Sequence, residues 1–183
     1  MSRLLFLSIT SAALLVGCSD DKCGAMGAAD VGLVAATDQV TITYGHLSAL
    51  AGNDCPDPAA PAGVVSQTIS GTQTDGTGLV TLCVPRPDLL MTGTRAFGTA
   101  TSMADVRITD ATGTANNCTF TLDSTRTPSG GLTAKGVCGN GDDPAGFQIV
   151  ASGGMTLKRD CAGALDSVPV TFRGTVAVAH RSQ

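Results

Sequence analysis

The sequence predicts a single all-β domain, an antiparallel β-sandwich or barrel-like fold with disulfides, and three observations lead there. The first is composition. All 15 acidic residues are Asp, and Lys22, Lys135 and Lys158 are the only lysines against eight arginines. Exposed helices are normally built from Glu, Lys, Gln and Ala, which lose little rotamer freedom and pair at a spacing of four. Thr, Val, Gly and Asp dominate here instead, and these suit pleated surfaces and tight turns. The second observation is an alternation of apolar and polar residues with period two from Asp38 onward, the mark of strands with one buried face. The third is a series of turn signals at short intervals.

In chain order, Val40, Ile42 and Tyr44 alternate with Thr41 and Thr43, which predicts a half-buried strand. Cys55–Gly63 carries Pro56, Pro58 and Pro61 and is read as a loop, because proline cannot donate to a central ladder. Val106 and Ile108 flank Arg107, and Cys118, Phe120 and Leu122 are separated by Thr119 and Thr121. Near the C-terminus, Val168, Val170, Phe172, Val176 and Val178 share one face with Gly174, where a bulge or bend is expected. Turns are predicted at Asp75-Gly76, Thr112-Gly113, Pro128–Gly131, Gly139–Gly146 and Gly153-Gly154. The pattern amounts to about seven to nine strands without an internal repeat.

The N-terminus is of another kind. Arg3 precedes an apolar run, Leu4–Val16, broken only by Ser8, Thr10 and Ser11. This has the charge and length of a secretory leader, and it falls short of the roughly 20 residues that a membrane-spanning helix requires. The run ends in Leu15-Val16-Gly17-Cys18, which closely resembles the lipobox of bacterial lipoproteins. The resemblance covers only the first 20 or so residues. It implies removal of residues 1–17, attachment of lipid to Cys18, and a covalent membrane anchor carried on a tether of residues 18–22, with the β domain occupying 23–183. Ser19 after the Cys, in place of Asp, implies outer-membrane sorting, with the domain facing either the periplasm or the outside. Each buried methylene contributes about 0.8 kcal/mol, so two or three acyl chains make stable attachment.

Seven cysteines are an odd number for an exported chain; setting Cys18 aside leaves Cys23, Cys55, Cys83, Cys118, Cys138 and Cys161. None are spaced as Cys-x-x-Cys, and an oxidising compartment favours disulfides over zinc. A hairpin turning at Thr127–Gly130 would place Cys118 opposite Cys138, with Phe120 opposite Gly136 and Leu122 opposite Ala134. Cys55 with Cys83 would close the proline-rich loop, leaving Cys23 for Cys161.

The residues that carry chemistry are sparse. The formal charge is −4, with five Phe, one Tyr and no Trp, so neither a basic face nor a set of stacking platforms exists, and no nucleic-acid partner is expected. His46 and His180 stand apart from any metal-ligand spacing and read as surface or strand-end residues. No nucleophile elbow, zinc-protease motif or phosphate loop occurs; Ser19-Asp20-Asp21-Lys22 matches Ser-x-x-Lys only within the tether. No cofactor and no enzyme activity are expected. Asn140, Asp142 and Asp143 on a Gly-rich turn form the best candidate for Ca²⁺, with Asn53, Asp54 and Asp57 a second, although the same residue types are turn formers in their own right. Asn117 begins a glycosylation sequon and reads as a strand-edge residue. The expectation is a lipid-anchored envelope lipoprotein whose β domain is structural or binds another envelope or extracellular protein. The alternatives are a Ca²⁺- or ligand-binding module, an extracytoplasmic hydrolase and a small disulfide-rich inhibitor.

Overall fold

The computed structural model describes residues 32–52, 54–99, 105–140 and 143–179, of these the backbone alone at 91, 135–140, 143–147 and 177–179. The strands are β1 (Gly32–Ala36), β2 (Thr41–Gly52), β3 (Ser66–Gln73), β4 (Leu79–Val84), β5 (Arg95–Ala96), β6 (Arg107–Ala115), β7 (Cys118–Leu122), β8 (Ser129–Asn140), β9 (Asp143–Cys161) and β10 (Ala164–Ala179), with a short 3₁₀ helix at Pro87–Thr92. All ladders between them are antiparallel, in the order β10-β1-β2-β3-β4-β6-β7-β9, and β9 pairs back onto β10. The sheet is therefore an eight-stranded closed barrel, which removes the exposed edges that a sandwich would leave.

The alternating residues point inward as expected. Ile42 and Tyr44 of β2, Phe120 of β7 and Phe172 of β10 are wholly buried, and Val170 and Val176 lie on the same inner face as Phe172. Thr41, Thr43, Thr119, Thr121, Thr171 and Arg173 face outward. Leu33, Ile69, Leu82 and Leu157 complete the interior. With Val80, Leu132, Ile149 and Met155 they form one buried apolar cluster inside the barrel. In β6 the inward phase moves from Val106 and Ile108 to Ala111, because Thr109 is an extra residue in the β4–β6 pairing.

Two expected turns prove to be strand interiors. Thr112-Gly113 lies within β6 and Gly153-Gly154 within β9. In both, glycine permits close packing. A Cβ on Gly113 would come within 2.8 Å of Ile42, and one on Gly153 within 1.9 Å of the Ser129 carbonyl oxygen. The expected distortion at Gly174 is present: its φ is 151°, and a Cβ there would meet the Gly32 carbonyl oxygen at 1.9 Å, where β10 crosses close to β1. Most of the stretch expected as a turn over Gly139–Gly146 belongs to the β8–β9 ladder, where Gly139 pairs with Pro144 and Asn140 with Asp143.

The largest correction concerns β7 and β8, which do not form a hairpin. One edge of β9 pairs with β10 from residue 146 to 161; the other pairs with β7 at 157–160 and with β8 at 143–154. Strands β7 and β8 therefore run end to end in the same direction along β9. Residues 123–128 are an excursion between them, and the chain does not reverse there. Beside the excursion the wall widens. Strand β5 adds to β8 through Arg95 and Leu132, and Phe97 bridges to Val106 just before β6. Phe97 also meets Phe172 at a ring-centroid distance of 6.0 Å.

Candidate functional site

Among the described residues two disulfides are present, Cys55–Cys83 and Cys118–Cys161. The first is as expected, joining the proline-rich loop to β4, and both of its residues are buried. The expected Cys118–Cys138 pair is not formed, and with Cys161 taken the Cys23–Cys161 pair falls too. The physical reason is the partner strand. Directly opposed residues of an antiparallel pair are indeed bridged, but the antiparallel neighbours of β7 are β6 and β9, and on β9 Thr119 faces Asp160, so the next position sets Cys118 against Cys161. Their Cα atoms are 4.4 Å apart. This bridge lies beside two hairpin tips, Asn116-Asn117 and Ala162-Gly163, all four residues having positive φ. Asn117 is thus a turn residue, held in the left-handed conformation that asparagine tolerates best after glycine.

The excursion between β7 and β8 forms the most organised polar cluster. Asp123, only 4% exposed, accepts hydrogen bonds at Oδ1 from the Thr125 amide (3.1 Å) and hydroxyl (2.6 Å). Lys158 Nζ lies 4.0 Å away, and the Ser167 hydroxyl donates to Oδ2 at 3.5 Å. The Thr125 hydroxyl, followed by the Thr125 amide and the cations Lys158 and Arg126, holds this carboxyl below the usual carboxylate range. Beside it is a cleft of about 90 Å³ with a floor of Ile108 and Leu122 and a rim including Gly98, Thr125, Arg126 and Pro128. Small-molecule pockets typically run from about 300 Å³ upward, and this volume matches a few waters.

A second polar cluster braces the barrel wall. The buried Gln73 side chain receives the Thr114 amide at Oε1 (2.9 Å) and donates from Nε2 to the Thr114 carbonyl (2.7 Å), copying a strand's pairing with β6. Tyr44 donates its hydroxyl to the Thr112 carbonyl at 3.1 Å. Burial, and secondarily the charge of Asp110, push its phenol far above the ordinary range, so it remains a neutral donor.

The carboxylates proposed for calcium fall out differently. Asp57 is 8% exposed; its Oδ1 accepts from the Ala59 amide at 2.9 Å and its Oδ2 lies 3.6 Å from the Arg86 guanidinium. The same guanidinium grips Asp88 with two hydrogen bonds of 2.9 and 2.7 Å, which lower the Asp88 carboxyl. Asp57 thus ties the proline-rich loop to the 3₁₀ helix, while Asp54 accepts from the Thr68 hydroxyl at 3.4 Å. Among the described residues no group of three or more His, Cys or Asp side chains converges on a metal position. His46 is exposed at the bulge where β2 slips register against β3, with φ of 48°. Cys18, Cys23, Asn53, Asp142 and His180 lie outside the described residues, as do the side chains of Cys138, Asn140 and Asp143.

Sequence reasoning missed Asp123 and Gln73. An Asp-x-Thr spacing at residues 123–125 signalled the first, whereas nothing local marked Gln73, whose partner is 41 residues away. No protein-family model, curated protein or solved structure matches this chain.

Proposed function

We propose that this chain is a lipid-anchored lipoprotein of the bacterial envelope, sorted to the outer membrane, whose barrel is a non-catalytic module that supports structure or binds another envelope or extracellular protein. The observation that carries this reading is the polarity of the barrel. Barrels that span membranes are apolar outside and polar within. Here Ile42, Tyr44, Phe120 and Phe172 fill the inside, while Thr41, Thr43, Thr119, Thr121, Thr171 and Arg173 stand on the outer wall. Such a wall faces water, so membrane attachment needs a separate device, and the Leu15-Val16-Gly17-Cys18 sequence supplies one. The outer wall and the loops are the surfaces this reading offers to a partner. Two disulfides accord with folding in an oxidising compartment.

The test is membrane fractionation of the wild type and Cys18→Ala in a bacterial host with the lipoprotein-processing machinery. The wild type is expected in the outer-membrane fraction, and the variant, folded with the same melting temperature, in the soluble or unprocessed fraction. Equal distribution of the two proteins would overturn the anchor.

A further inference from the structure

With two disulfides placed and Cys18 assigned to lipid, two of the seven cysteines remain, Cys23 and Cys138. The strand register shows whether they can meet. Gly32, the first described residue, stands opposite Thr175 of β10; Thr175 stands opposite Val150 of β9, and Val150 opposite Thr133 of β8. Cys138 is therefore three strands across from Gly32 and five residues further along, on the side from which the chain enters β1. With strands about 4.8 Å apart and about 3.3 Å per residue, that separation is at most about 22 Å around the wall. The nine residues from Cys23 to Gly32 reach about 30 Å when extended, so the span is within range.

We propose that Cys23 and Cys138 form the third disulfide, which fastens the lipid-bearing end of the chain to the β8–β9 end of the barrel. The inference rests on the lipid-anchor reading, because it assigns Cys18 to the lipid. In the reaction, one thiolate attacks a donor disulfide and forms a mixed disulfide. The second thiolate then displaces the donor, which leaves as a dithiol carrying the two electrons, and two protons are released from the cysteines. With this bridge, the lipid-bearing Cys18 is five residue steps from a fixed point on the barrel, which limits the gap to about 17 Å. The β8–β9 end then sits next to the membrane, and the opposite end, with the Cys118–Cys161 bridge and the hairpin tips beside it, is presented away from it.

The experiment uses the full chain and its Cys18→Ala variant, each recovered from an oxidising compartment, denatured in alkylating agent without reductant, and digested with trypsin and an Asp-directed protease. The expected result in both proteins is a peptide containing Cys23 joined to one containing Cys138, two hydrogens lighter than the separate thiol peptides, with neither cysteine alkylated. Alkylation of Cys23 or Cys138, linkage of either to another cysteine, or a reducible dimer joined through them would overturn the proposal. The anchor reading is scored separately, by whether wild-type Cys18 carries acyl mass; the bridge in the variant does not depend on it.

Discussion

At the residue scale, Ala162 is the clearest point of local strain. It occupies the left-handed region at φ 53° in the two-residue turn before Gly163, a conformation that costs a residue with a Cβ about 1–2 kcal/mol. Asparagine before glycine is the favoured pair for such a turn, so Ala162→Asn is expected to stabilise the protein by about 0.5–1 kcal/mol in urea denaturation under non-reducing conditions. Asp123 offers a second prediction, tied to pH. Its carboxyl is lowered in the folded state, chiefly by the Thr125 hydroxyl, so its contribution is present above the ordinary carboxylate value near 4 and is lost as pH falls through the depressed folded value. The melting temperature of Asp123→Asn is therefore expected to fall less steeply below pH 4 than that of the wild type. Parallel acid profiles would remove Asp123 from that account.

At the element scale, the placement of β7 beside β9 is what determines the disulfide pattern. The Cys118–Cys161 bridge closes a 43-residue separation, and the chain-entropy treatment gives about 4 kcal/mol for a loop of that length. The double variant Cys118→Ala/Cys161→Ala is expected to lose stability of that order in urea, with unchanged β-sheet circular dichroism. A Cys138→Ala variant is expected to leave the Cys118–Cys161 linkage intact on peptide mapping. The strands that could be read from sequence were those whose side chains carry the alternation: Val40, Ile42 and Tyr44, then Cys118 and Phe120, then Val170 to Val176. What could not be read was the Gly-rich stretch of β8 and β9, because glycine marks neither face. Gly153 looks like a turn residue, yet it is required inside a strand, where the Ser129 carbonyl leaves no room for a Cβ. The excursion at 123–128 was equally opaque. Pro128-Ser129-Gly130-Gly131 has the composition of a reversing turn, and only the length of β9, long enough to pair with two strands in succession, makes it a side step.

At the scale of the whole molecule, sandwich and barrel are indistinguishable from alternation alone, since both need one apolar face per strand. Closure depends on long-range pairing between β1 and β10, whose partners are about 140 residues apart, as in Gly32 and Thr175. The closed wall is apolar within and polar without, and under the lipid-anchor proposal its place at a membrane depends on Cys18. The two polar clusters then have structural explanations: Gln73 and Tyr44 brace β6, and Asp123 pins the side step. The candidate calcium residue Asp57 serves in the same way, fixing the proline-rich loop through Arg86. Under the partner-binding proposal the outer wall and loops offer the contact surface, where Leu50 and Leu165 are 65% and 69% exposed. The most direct test of this account is the intact mass of the wild-type chain from a bacterial envelope, denatured in a thiol-alkylating reagent without reduction. The account predicts a chain beginning at Cys18 that carries acyl mass and takes up no alkyl label. A chain with Cys18 unacylated, or with label on any cysteine, would contradict it.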